Sequence, residues 1–212
     1  MTDVKEVLRY LGYRGNPGDK QILEAIDSCM AELGRAVTPR SVSQLLTVTF
    51  KDNIVVLGSM QIESNELLGH LDGCKEAILF AATLGTQADF LLERTSKMDM
   101  SRAVVLQACA AAMMESYCDE CELEFSAEAA QRGLYLRPRY SPGYGDFSIS
   151  HQHELLRILA SQKKIGLTAT DGCMLVPTKS VTAVIGLTSE KTSCHIAKCM
   201  GCQSLNCPFR KG

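Results

Sequence analysis

Arg139, Tyr144 and a group of C-terminal cysteines are the side chains whose type and spacing can do chemistry in this 212-residue chain. Arg139 opens the run Arg139-Tyr140-Ser141-Pro142-Gly143-Tyr144-Gly145-Asp146. Its planar guanidinium presents a fork of donors suited to a carboxylate. Tyr144 offers a ring face to a cation and a hydroxyl to a hydrogen-bond partner. Pro142 fixes one backbone dihedral, and Gly143 lets the chain bend and a ligand come close. The same residues also make an ordinary Pro-Gly surface turn. The cysteines are Cys194, Cys199, Cys202 and Cys207, spaced Cys-x4-Cys-x2-Cys-x4-Cys and followed by Pro208. Met200-Gly201 gives the central pair the tight turn of a metal knuckle. Four thiolates suit zinc or an iron–sulfur cluster equally well. A metal-free cysteine-rich tail, or two disulfides, is the competing reading.

The elements around the Arg139 run alternate in period. Val4, Val7, Leu8 and Leu11 mark a short amphipathic helix, and Ile22, Leu23, Ile26, Met30 and Leu33 mark a second one. Residues 41–58 shift to strand character with a turn at Asp52-Asn53, which predicts a hairpin or meander. Asn65–Leu71 reads as a short helix, Ala77–Thr83 as a buried strand and Thr86 onward as a helix. Residues 100–132 give the longest helical pattern, capped by Ser101, with a small-residue face and a break expected near Cys118–Cys121. Ser150 opens another helix, and Ile165–Thr168 and Val181–Leu187 read as strands. This order predicts one α+β domain with a mainly antiparallel or mixed sheet flanked by long helices.

Bulk properties exclude several classes. A net charge of −2 with 46% hydrophobic and 22% charged residues describes a globular chain without the basic face that nucleic acid requires. No apolar run is long enough to span a membrane. The N-terminus lacks a charged-then-apolar signal pattern, so a cytoplasmic location is expected. In that setting the remaining cysteines, Cys29, Cys74, Cys109, Cys118, Cys121 and Cys173, are expected to be reduced, small, buried hydrophobes.

Three stretches together resemble one family. Arg139-x-x-Pro142-Gly143-Tyr144 is similar to the S-adenosylmethionine motif in the activation (reactivation) domain of cobalamin-dependent methionine synthase. Ile165-Gly166-Leu167-Thr168, leading through Cys173-Met174-Leu175-Val176-Pro177 to Ser180-Val181-Thr182, resembles a second conserved run of that domain. Phe80-Ala81-Ala82-Thr83-Leu84-Gly85 resembles its strand-to-helix passage. The likeness is best over residues 70–188, so residues 1–188 are expected to form the activation-like domain, in the short stand-alone form. Residues 189–212 are expected to form a cysteine-rich tail without a counterpart.

The resemblance implies a single C-shaped α+β unit that binds S-adenosylmethionine. Arg139 would pair with the carboxylate of the ligand's methionine part. Pro142, Gly143, Tyr144 and Gly145 would line the same pocket. The family's acidic residue on the long helix aligns with Ala112, so Glu115 or Asp146 is expected to face the ligand's cationic groups. The implied role is reductive methylation of cob(II)alamin held by a separate methionine synthase or another corrinoid methyltransferase, with an electron from a flavodoxin or ferredoxin. By positioning alone, the chain would show no turnover by itself and carries no catalytic residue. Cys194, Cys199, Cys202 and Cys207 would hold zinc or a [4Fe–4S] cluster. The alternative is a metal-stabilised interaction protein that docks on a corrinoid protein and uses no methyl donor.

Overall fold

The computed structural model describes residues 3–13 and 16–190. The four tail cysteines expected to bind metal lie outside the described residues. Helices α1 (Val4–Tyr10) and α2 (Lys20–Ala36) start on Asp3 and Asp19, whose side chains accept from Lys5 and Ile22 backbone amides. Strand β1 (Arg40–Lys51) follows. It turns at Asp52 into β2 (Ile54–Leu57) and then β3 (Met60–Glu63), so of the expected hairpin or meander the chain forms the meander. Helix α3 (Asn65–His70) leads to β4 (Glu76–Thr83), α4 (Thr86–Met98) and α5 (Met100–Gln131). The chain then passes through β5 (Tyr135–Leu136), a 3-10 turn at Ile149–His151, α6 (Gln152–Leu159) and α7 (Ser161–Ile165). It finishes with β6 (Thr168–Ala169), β7 (Leu175–Val176) and β8 (Ser180–Thr188).

The main sheet has six strands in the order β3-β2-β1-β4-β8-β5, and its pairings are antiparallel. The architecture is thus α+β with long helices, as the alternation of periods predicts. Central strand β4 shows how two faces are built from one run. Ile78, Phe80 and Ala82 enter a core shared with α1, α2, α4 and α5. Ala77, Leu79 and Ala81 enter the opposite core, shared with α3, α6 and α7. Period-two alternation permits this, and burial on both faces explains why the strand is apolar almost throughout.

Three local expectations are corrected. Helix α5 is continuous over its 32 residues, because residues 100–131 contain no Gly or Pro and Cys118 and Cys121 pack inward. Asp99 caps α5 in place of Ser101, and Ser148 caps the 3-10 turn in place of Ser150. Ile165 closes α7, with Gly166 left-handed at its C-cap, so the strand expected over Ile165–Thr168 is reduced to the short ribbon β6–β7. Cys29, Cys74, Cys109, Cys118 and Cys121 are buried free thiols, as expected, and Cys173 is half-buried. Among the described residues, no helix is long and apolar enough to cross a membrane.

Candidate functional site

The chain after α5 is laid along the outer side of β8. The Arg137 amide donates to the Gly186 carbonyl at 2.7 Å, and Tyr140 exchanges both backbone bonds with Val184 at 2.9 and 2.8 Å. An extended edge sends successive side chains to opposite faces. Tyr140 accordingly enters the core beside α3 and α6. Arg139 turns the other way, onto α5.

There Arg139 meets three carboxylates spaced three and four residues apart on one face of α5. Its Nη2 lies 3.0 Å from Glu115 Oε2 and 2.9 Å from Asp119 Oδ1, and its Nε lies 3.1 Å from Glu122 Oε1. The side chains of Arg139 and Glu122 are 17% and 15% exposed, against 40% for Glu115 and 65% for Asp119. Glu122 therefore anchors the guanidinium from within, while Glu115 and Asp119 open to solvent. Burial acts to lower the Arg139 pKa, but the carboxylates, Glu122 foremost, outweigh it and the net shift is upward. The neighbouring Cys118 thiol is pushed up to about 12 by burial and stays neutral. One guanidinium among three carboxylates leaves a net charge of −2 at the cluster.

Residues 141–147 close on themselves. The Gly143 amide donates to the Phe147 carbonyl at 2.7 Å, Tyr144 to Ser141 at 3.1 Å and Phe147 to Tyr144 at 2.9 Å. Gly145, at φ +52°, lies under the Glu66 carboxylate, where a Cβ would come within 2.0 Å of Oε2. The Tyr140 hydroxyl donates to Glu66 at 2.9 Å, and burial with this bond pushes its pKa up to about 12. His70, Tyr144 and Phe147 surround the Tyr140 ring at centroid distances of 4.9, 6.1 and 6.3 Å. Asp146 accepts from Ser64 Oγ, from the Asn65 amide at 2.8 Å and from the Glu66 amide at 3.2 Å. It thereby caps α3, and the Ser64 bond leads in holding its carboxyl below the ordinary range.

The structure thus divides the residues that the sequence groups together. Arg139 and Glu115 meet directly. Tyr144, Gly145 and Asp146 sit with α3 and the Tyr140 ring, on the other side of the sheet edge. Pro142 is buried and Tyr144 is 56% exposed. The Gly143 amide is taken by Phe147 within the turn. Ala112 lies 1% exposed in the core. Sequence reading missed Asp119 and Glu122, although their spacing from Glu115 signals a shared helix face. It also missed Glu66 and His70, which come from a helix remote in sequence.

Two grooves lie elsewhere on the surface. One, of about 540 Å³, runs between α6, α7 and β6 beside Arg157, Lys163 and Thr168. The other, of about 670 Å³, lies between α4 and α5 beside Leu92, Val104 and Ala111 and reaches Tyr10. Neither is lined by Arg139. Among the described residues, no three His, Cys, Asp or Glu side chains converge as metal ligands.

No family model matches the sequence, and no curated protein matches it. Among solved structures, the chain is similar to the crystal structure of the MetH reactivation domain bound to AdoHcy. The TM-score is 0.63 at 14% identity, over 82% of this chain and 66% of that one. The chain therefore has the fold of that reactivation domain and spans about two thirds of its length.

Proposed function

We propose that this protein binds S-adenosylmethionine and supports reductive methylation of cob(II)alamin carried by a separate corrinoid protein. The observation that carries the reading is the pairing of Arg139 with Glu115 and Asp119 on a reactivation-domain fold. An α-amino acid head group is a zwitterion, and a guanidinium beside carboxylates is its complement. Arg139 takes the ligand carboxylate, while Glu115 and Asp119, the more exposed acids, turn to the ammonium and the sulfonium. Glu122 keeps the guanidinium in place. Tyr144 and the Pro142–Gly145 turn contact the ligand from the far side of the sheet edge, so the bound molecule straddles that edge.

The chain's contribution is positional: it fixes the methyl donor so that the methyl group faces the partner's cobalt. One electron from a flavodoxin- or ferredoxin-type reductant and the methyl group of the sulfonium convert cob(II)alamin to methylcobalamin and leave S-adenosylhomocysteine. Cys194, Cys199, Cys202 and Cys207 have the spacing to hold zinc or a [4Fe–4S] cluster, and metal analysis of anaerobically purified protein distinguishes the two.

The test is to mix the chain with a cob(II)alamin-loaded corrinoid methyltransferase domain, S-adenosylmethionine and a one-electron reductant. Methylcobalamin is followed by absorbance. Formation that requires this chain supports the reading, and formation at the same rate without it refutes it.

A second reading, a metal-stabilised protein that docks on a corrinoid partner without a methyl donor, is favoured by two observations. Three carboxylates already engage Arg139, and Asp146 is engaged at α3. It predicts partner binding that S-adenosylmethionine leaves unchanged.

A further inference from the structure

The groove between α4 and α5, of about 670 Å³, has the size of a small-molecule site. Its lining is mainly apolar, with Leu92 from α4 and Val104, Ala108 and Ala111 from α5. Val104 is 56% exposed, so apolar surface lies open to water there. Two charged side chains join the lining, Glu93 and Lys179. Glu93 is paired with Lys97 at 2.6 Å. Lys179 is the one cation of the lining.

The backbone around Lys179 is clamped at three successive residues. Thr178 donates its amide and its hydroxyl to the two carboxylate oxygens of Asp89, at 2.9 and 2.6 Å. That ties the loop to the first turn of α4. The Lys179 carbonyl accepts from the Leu84 amide at 2.9 Å, and Ser180 Oγ lies 2.8 Å from Thr83 Oγ1. The Lys179 side chain therefore starts from a fixed base. Asp89, the acid whose charge acts on it, is occupied by Thr178. Among the described residues, the half-buried ammonium makes no hydrogen bond and no ion pair. Burial pushes its pKa down, and Asp89 offsets this only in part. A cation held in an apolar groove without a counter-ion is stabilised by an anion that enters beside it.

We propose that this groove binds a monoanionic amphiphile, an apolar body with a carboxylate head, and that Lys179 takes the carboxylate. The body covers Leu92, Val104, Ala108 and Ala111 and removes their exposed surface from water. Charge selects the head group. One ammonium balances one negative charge, and Glu93 in the same lining disfavours a dianion such as a phosphate monoester. S-adenosylmethionine, a net cation, is not of this class. The inference is independent of the methyl-donor reading, which uses Arg139 and later turns of α5.

Calorimetric titration of decanoate into the full chain, below the concentration at which decanoate forms micelles, tests it. Saturable one-site binding is expected. Lys179→Gln should weaken it about tenfold or more, while Lys179→Arg should retain most of it. Val104→Trp, at an exposed position, fills the groove and should abolish binding, with the fold intact by circular dichroism. Decanol has the same body and no charge and should bind about tenfold more weakly or worse. Absence of saturable binding would overturn the inference. Equal affinity for decanol and decanoate, or binding indifferent to Lys179→Gln, would reduce the groove to a non-specific apolar surface and overturn it as well. Displacement of decanoate by S-adenosylmethionine would assign the groove to the methyl-donor site and overturn a separate ligand.

Discussion

Arg139 Nη2 sits 3.0 Å from Glu115 Oε2, so the strongest cation of the turn-rich run is joined to the long helix that precedes it. The same nitrogen is 2.9 Å from Asp119. This pairing links the edge of the sheet to α5, and the excess of carboxylates over the one guanidinium leaves the cluster net negative.

That charge predicts a preference for a cationic ligand. S-adenosylmethionine carries one net positive charge, and its demethylated thioether carries none. In calorimetric titrations the methyl donor should bind about tenfold more tightly than S-adenosylhomocysteine, equivalent to about 1.4 kcal/mol. The ratio should shrink as salt rises, because exposed Glu115 and Asp119 are screened. Equal affinities at low salt would remove the electrostatic part of the account.

Removing the cation should cost stability as well as binding. Arg139→Ala leaves three carboxylates facing one another and should destabilise the fold by on the order of 2 kcal/mol in urea unfolding. That is below the range of about 3–5 kcal/mol for fully buried pairs, because Glu115 and Asp119 stay solvated. Arg139→Lys retains the charge without the planar fork, so it should keep most of the stability while weakening ligand binding.

The turn that carries Tyr144 is fastened to α3 through Ser64 and Asp146. Ser64→Ala removes the acceptor for the Leu67 amide and the donor to Asp146, and should cost about 1 kcal/mol. The Asp146 carboxyl titrates below its unfolded value of 3.8, so its contribution to stability is complete above that pH. The contribution fades as pH falls through the lower folded value. Thermal unfolding of Asp146→Asn should therefore show a lower transition temperature at neutral pH and a shallower loss as pH falls below 3.8.

Ala112 gives a test of packing. The resemblance places the methionine synthase activation domain's acid at this position, yet the side chain is buried in the core that α5 shares with α1, α2 and the sheet. Ala112→Glu should destabilise by on the order of 3 kcal/mol, measured by denaturant unfolding, and should not improve ligand binding. A stable variant with tighter binding would return the acidic role to Ala112 and displace Glu115.

Much of the fold was legible because periodicity reports burial directly. The apolar run Ala77–Thr83 reads as a buried strand and is central, and Val105, Ala108 and Ala112 of the small-residue pattern face a packed layer, while Val104 is exposed. The break expected near Cys118–Cys121 does not occur, because residues 100–131 contain no Gly or Pro. The site was legible in part. Arg139 stood out by its motif, whereas Asp119 and Glu122 were missed although helical spacing joins them to Glu115. That Tyr144 lies across the sheet edge from Arg139 depends on which strand the segment pairs with, and Glu66 reaches Tyr140 over 74 residues of sequence. Neither follows from local pattern, because both are set by long-range pairing with β8.

Isothermal titration of S-adenosylmethionine into the full chain, compared with Arg139→Lys and Glu115→Gln, tests the central claim most directly. The account predicts saturable one-site binding that each substitution weakens by about tenfold or more, with both variants folded by circular dichroism. No binding to the parent chain, or binding indifferent to both substitutions, would contradict it.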